Sequence, residues 1–222
     1  MNQQPHGNGL NRHGHGKIKE EFISMWQYEK KLQFPINIKT PNPKLASFII
    51  SQYGGPDGEL AASMRYLSQR FAMKDNITKG LLTDIGTEEL AHLEMVGTIV
   101  HQLTKNATTT QIENSPMAAY YIDHGRGVFP ASASGVPFNA MTLASKSDPI
   151  TNLVEDMAAE QKARTVYENI LRVSDDPDVN SVIKYLRQRE IVHFQRFGDA
   201  MLPDLNGKHS KKIIIFCVLF IF

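Results

Sequence analysis

A glutamate followed three positions later by a histidine occurs twice in this chain, as Glu89 with His92 in ELAH and as Glu190 with His193 in EIVH. Both stretches read as helix. Positions three apart share one helical face, so each pair can aim a carboxylate oxygen and an imidazole nitrogen at a single point. Each pair is therefore half of a metal site. A further glutamate stands 30 positions before each pair, Glu59 before Glu89 and Glu160 before Glu190. The second half follows the first at an offset of 101 positions throughout.

The repeat extends beyond the acids. Tyr66 and Tyr167 each follow the first glutamate of their half by seven positions, and Ala62 with Ala163 and Gly97 with Gly198 keep the same offset. Two helix pairs, each giving a glutamate from one helix and Glu-x-x-His from the other, are what a ferritin-like dinuclear metal bundle requires. The two tyrosines lie two turns from their glutamates. Either can hydrogen-bond a ligand carboxylate or simply pack in the core.

Carboxylates with imidazoles, and no thiolate among the helices, favour manganese or iron over copper(I) or a structural zinc-thiolate site. Spacing does not separate the two metals, which accept the same ligands. Four carboxylates buried together are prohibitively costly unless cations neutralise them, and two divalent ions balance that charge. Glu88 stands four positions before His92 and competes with Glu89 as a ligand. Only Glu89 matches the repeat, which leaves Glu88 beside the ligands or at the surface and Glu94 facing solvent. His101 and His124 lie outside the repeat and read as structural.

The length of 222 residues suits one domain with a sizeable core. A formal charge of +1 gives no broad electrostatic reason to bind nucleic acid or an anionic membrane. The single cysteine, Cys217, cannot form an intramolecular disulfide. With no apolar signal core near Met1, synthesis in the cytoplasm is expected.

The elements that must position these residues follow from the punctuation. Residues 1–24 are rich in Gly, Asn, Gln and His, and are expected to form a disordered lead in which His6, His13 and His15 are solvated. Met25 could be an alternative translation start. Residues 26–43 carry Pro35, Pro41 and Pro43 among Phe34, Ile36 and Ile38, the pattern of an extended arm that packs on a neighbouring chain. Helix is expected over about 44–53, 59–73, 76–104, 150–173 and 178–201, the last ending at Pro203. Gly54, Gly55 and Pro56 break the first from the second, and residues 106–149 form a long crossover rich in Gly and Pro. The end 206–222 is a tail closing on ten apolar residues, 213–222. Ten residues rise only about 15 Å as a helix, half the hydrocarbon core, so this is no ordinary transmembrane span. A membrane-surface anchor, an assembly contact and an irregular chain end all remain open for it.

The stretches MWQYEKKLQFPINIKTPNPKLASFIISQYGGPDGELAASMRYLSQRF, LLTDIGTEELAHLEMVGTIV, DMAAEQKAR and REIVHFQRFGDA resemble the manganese catalase family, and within it the spore-coat, CotJC-type branch, over residues 25–205. The resemblance implies an all-α ferritin-like four-helix bundle with a long crossover and extended terminal arms. It implies a dimanganese site with Glu59, Glu89, His92, Glu160 and His193 as ligands, Glu89 bridging the two ions. It makes Glu190 the nearby acid-base group and sets Tyr66 where some members bond a tyrosine to a ligand carboxylate. Some members carry an arginine just before the third glutamate, where this chain has Ala159. The implied activity is disproportionation of hydrogen peroxide to water and oxygen, in a hexamer placed in the spore coat among other coat proteins. Two other readings compete: a structural coat protein with little turnover, and a di-iron ferroxidase or oxygen-activating bundle.

Overall fold

The computed structural model of the chain describes residues 31–208. The expected lead 1–24 and the apolar end 213–222 lie outside the described residues. Seven α-helices follow in order among those described: α1 Pro43–Gly54, α2 Glu59–Gln69, α3 Asn76–Thr104, α4 Thr109–Glu113, α5 Met117–His124, α6 Pro149–Val173 and α7 Pro177–Lys208. Short 3₁₀ turns occupy Arg70–Ala72 and Ala140–Thr142, and one isolated bridge joins Ala131 to Pro137.

The long helices start where a short polar side chain can satisfy orphan backbone donors. Asp75 accepts from Thr78 N at 2.7 Å to open α3, and Asp148 accepts from Thr151 N at 2.8 Å to open α6. Pro43 and Pro149 stand in the first turn of α1 and α6, where a missing N–H costs nothing. Pro203 does not end α7, which continues to Lys208. A proline fits the helical φ and removes one hydrogen bond, so the helix loses a bond there without being compelled to stop.

Helix α2 packs along α3, and α6 along α7, each pair joined by a short turn. The pairs meet through α2 against α6 and α3 against α7, and α1 closes the bundle against α3. Between α2 and α3 the approach is close: a Cβ on Gly86 would lie 2.8 Å from Leu67 Cγ, and Ser63 donates to the Gly86 carbonyl at 2.7 Å. Gly86 is what lets the Glu59 helix sit against the Glu89 helix.

Two apolar clusters fill the bundle. One gathers Ile49, Met95, Ile99, Leu103, Ile183 and Leu186 around Tyr167; the other gathers Leu82, Ile85, Leu153 and Phe197 around Tyr66. The described part of the arm packs on its own chain. Ile38 is buried, Leu32, Phe34 and Ile36 lie against the first cluster, and Phe34 stacks on Tyr185 at 5.1 Å. Gln102 clips the arm to α3 by accepting from Ile38 N at 2.7 Å and donating to the Ile36 carbonyl at 3.0 Å. No helix of the described residues is long and apolar enough to cross a membrane.

Ile183 is fully buried in the first cluster, away from the repeated acids. Ile183→Ala is expected to lower stability by about 2–5 kcal/mol through lost transfer energy and a residual cavity. Denaturant unfolding at fixed metal concentration measures it; a loss below about 1 kcal/mol would show that the cluster collapses around the gap.

Candidate metal centre

Glu59 is the first residue of α2, and its place depends on the tight turn before it. A Cβ on Gly58 would stand 2.6 Å from the Ser51 carbonyl oxygen, so no larger residue fits that turn. Glu89 and His92 come from the middle of α3, Glu160 from α6, and Glu190 and His193 from α7. All six converge on the middle of the bundle, none more than 1% exposed.

They form two overlapping groups whose potential ligand atoms lie within 4.8 Å of one another: Glu59, Glu89, His92 and Glu190, and Glu89, Glu160, Glu190 and His193. Glu89 and Glu190 belong to both, as residues at equivalent positions of two facing halves must. The two oxygens of Glu89 divide between the halves, Oε2 lying 2.7 Å from His92 Nδ1 and Oε1 2.8 Å from His193 Nδ1. The same two nitrogens face the outer acids, His92 Nδ1 at 3.7 Å from Glu59 and His193 Nδ1 at 3.6 Å from Glu160. The imidazoles lie nearly parallel, with centroids 5.7 Å apart.

The tyrosines cross between the halves. Tyr66 donates to Glu160, and Tyr167 donates to Glu59. Each hydroxyl thus fixes a carboxylate of the opposite half, while its ring belongs to an apolar cluster at one end of the centre. Both phenols are held well above their usual range, first by burial and then by the charge of the carboxylate each one faces.

The electrostatics divide the acids. Burial raises Glu59, with the Glu89 charge adding to it, to a pKa of about 8. Burial and the neighbouring carboxylates push Glu160 up and Glu190 well up. Burial also acts against the charge on Glu89, but the positive His193 and His92 beside it win and hold it well below the usual carboxylate range. The histidines are raised in turn despite burial, chiefly by the Glu89 charge, His193 to about 11.

Several donor atoms here have no hydrogen-bond partner, among them Glu89 Oε1, Glu160 Oε2, Glu190 Oε1 and His193 Nδ1. His193 Nδ1 and Glu89 Oε1 are only 2.8 Å apart yet are not aligned as donor and acceptor. The two atoms are close without being bonded to each other. Oxygen and imidazole donors aimed in this way, in two groups that have Glu89 and Glu190 in common, fit a pair of divalent ions.

A family model, that of manganese containing catalase, matches residues 25–215. The chain belongs to the manganese-containing catalases. It is 51% identical to Protein CotJC of Bacillus subtilis over 189 residues, covering 85% of this chain and 100% of that protein. It is 34% identical to a probable manganese catalase of Clostridium acetobutylicum, covering 84% of each. Among solved structures it is similar to wild-type KatB, a manganese catalase from Anabaena, with a TM-score of 0.76 and 32% identity over 85% of this chain and 84% of that one. Membership in a manganese family decides between the two metals that the donor set alone leaves open.

For a member of this family, the protons held by these side chains have a direct consequence for metal loading. With Glu59 raised to about 8 and His193 to about 11, ions that bind there displace protons. Affinity for manganese(II) is therefore expected to rise from pH 6 to pH 8, about tenfold per pH unit for each proton displaced. Titrations of metal-free protein at several pH values measure this; a flat profile would show ligands already deprotonated.

The residues immediately around the centre were less visible in the sequence. Glu88 is half-buried beside the centre: its oxygens face the Nε2 atoms of both histidines, and Arg189 pairs with it at 2.7 Å. Asp156, one turn before Glu160 on α6, is fully buried, and neither of its carboxyl oxygens has a hydrogen-bond partner. Burial raises it well above the usual range. Its spacing of four from Glu160 was the available signal. Arg65, also buried, pairs with Glu155 at 2.8 Å. His101 and His124 lie outside both groups, His124 stacking on Phe129 at 4.1 Å.

Proposed function

We propose that this protein is a dimanganese catalase that converts two molecules of hydrogen peroxide into two of water and one of dioxygen. The observation that carries the reading is the pair of buried groups sharing Glu89 in a chain of this family. Glu59, Glu89 and His92 would hold one ion and Glu89, Glu160 and His193 the other. A bound manganese pair would supply the two-electron redox chemistry that disproportionation of peroxide requires.

The chain's own task is to hold protons and exclude water. The peroxide that is reduced needs two protons to leave as water, and the peroxide that is oxidised releases two. Glu190 is suited to this exchange. It reaches both groups, is buried, and has its pKa pushed well up by burial and the surrounding carboxylates, which favours a group that can hold and return a proton. Tyr66 and Tyr167 keep Glu160 and Glu59 in place while the proton moves. The two apolar clusters wall the centre, which suits a small neutral substrate needing no recognition pocket.

The likeness to CotJC supports a place in the spore coat, and the family resemblance supports a hexamer. Immunolabelling of spores and size measurement of the purified protein test these two statements. Absence from the coat layers, or a stable monomer, would contradict them. Activity is tested by oxygen release from peroxide by manganese-loaded protein. Turnover no faster than free manganese would leave a structural role.

A further inference from the structure

Glu88 and Arg189 stand 101 positions apart, so they occupy equivalent places in the two halves. Equivalent positions at the seam between facing halves meet each other, and two glutamates there would repel. The repeat holds opposite charges instead. Arg189 grips Glu88 with two bonds, Nε to Oε1 at 2.7 Å and Nη2 to Oε2 at 3.2 Å. The same two oxygens face inward, Oε2 accepting from His193 Nε2 at 3.2 Å and Oε1 lying 3.5 Å from His92 Nε2. His92 Nε2 is buried and has no aligned hydrogen-bond partner. The inner nitrogens of both rings are turned the other way, toward Glu89.

We propose that Glu88 is a positioning residue shared by both histidines, held in place by Arg189, and that it couples manganese binding at the two positions. The proposal rests on the dimanganese reading above. A histidine that binds a metal through Nδ1 needs an acceptor for Nε2–H to fix its tautomer and ring angle. A bundle with separate acceptors could lose one without affecting the other metal. Here one carboxylate serves both rings, and one arginine fixes that carboxylate against rotation through a planar fork. Removing the carboxylate strands two buried N–H groups at once.

The glutamine variant separates this role from mere packing. Glu88→Gln keeps size and shape, but its amide has one acceptor oxygen and turns an NH₂ group toward the other ring. One histidine stays supported and the other does not. The experiment is a manganese(II) titration of metal-free full-length protein, following bound metal by equilibrium dialysis and the ion pair by electron paramagnetic resonance. Wild type is expected to fill both positions together and to show the spin-coupled pair from the first additions. Glu88→Gln should fill in two separated steps, with an isolated-ion spectrum near one equivalent. Glu88→Ala should weaken both positions by about 10–100-fold, and Arg189→Lys should weaken them less.

A wild-type isotherm and spectrum in Glu88→Gln, or loss at one position only in Glu88→Ala, would overturn the proposal. Circular dichroism of the metal-free variants checks folding; if Glu88→Ala does not fold, the isosteric Glu88→Gln decides. None of these readouts uses peroxide, so a chain that loads manganese as expected but lacks turnover contradicts the catalase reading and leaves this one standing. A wild-type chain that binds no manganese pair overturns both.

Discussion

Glu190→Gln is expected to keep two manganese ions per chain and to lose about a hundredfold or more of the peroxide turnover. The amide preserves the size and shape of the side chain, so the packing of α7 against α3 and α6 has no reason to change. What it cannot do is give up a proton and take it back. Glu190 sits within both ligand groups but its Oε1 has no hydrogen-bond partner, whereas Glu89 is contacted by both histidines. Two glutamates at equivalent positions have thus acquired different electrostatic surroundings. The imidazoles beside Glu89 hold its carboxyl well below the usual range, while burial and the surrounding carboxylates push Glu190 well above it. Metal analysis beside a turnover assay measures the effect. If Glu190→Gln loses metal as readily as Glu160→Ala, then Glu190 is a ligand and the site is a symmetric one of six.

Glu89→Ala is expected to lose both ions and to fall to the background rate of peroxide decay. Glu89 is the acid whose two oxygens are divided between the histidines, so its removal opens both positions at once. Glu59→Ala touches only one group and should retain the second position, with weakened affinity where the shared carboxylate loses a neighbouring cation. Bound manganese per chain, measured at a fixed free concentration, separates the two. A Glu89→Ala protein that still holds a manganese pair would show that the other carboxylates suffice and that Glu89 is not shared.

The meeting of these six residues was legible in the sequence because helical geometry makes spacing equivalent to direction. Glu89 with His92, and Glu190 with His193, needed only to be on helices to share a face, and the matching offset tied Glu59 and Glu160 to them. The tyrosines were left between two roles because a hydroxyl's partner lies on another helix. Their crossing to the opposite half depends on how α2 meets α6, which no local pattern encodes. Glu88 was divided between a place beside the ligands and one at the surface for a related reason. Its direction is the seam between α3 and α7, and the charge opposite it, Arg189, becomes its partner only when those helices pack. The extended arm was read as packing on a neighbour, and its described part lies against its own chain. Apolar residues among prolines show that something must be covered without showing which surface does the covering, and Gln102 and Tyr185 supply it from the same chain.

The most direct measurement combines metal analysis and oxygen release on one preparation grown with both manganese and iron. The account predicts two manganese ions per chain and one dioxygen released for every two peroxides consumed, at a rate that disappears when the metal is removed and returns with manganese(II). Two iron atoms per chain, or a full manganese pair with no oxygen release above that of the free ion, would contradict it.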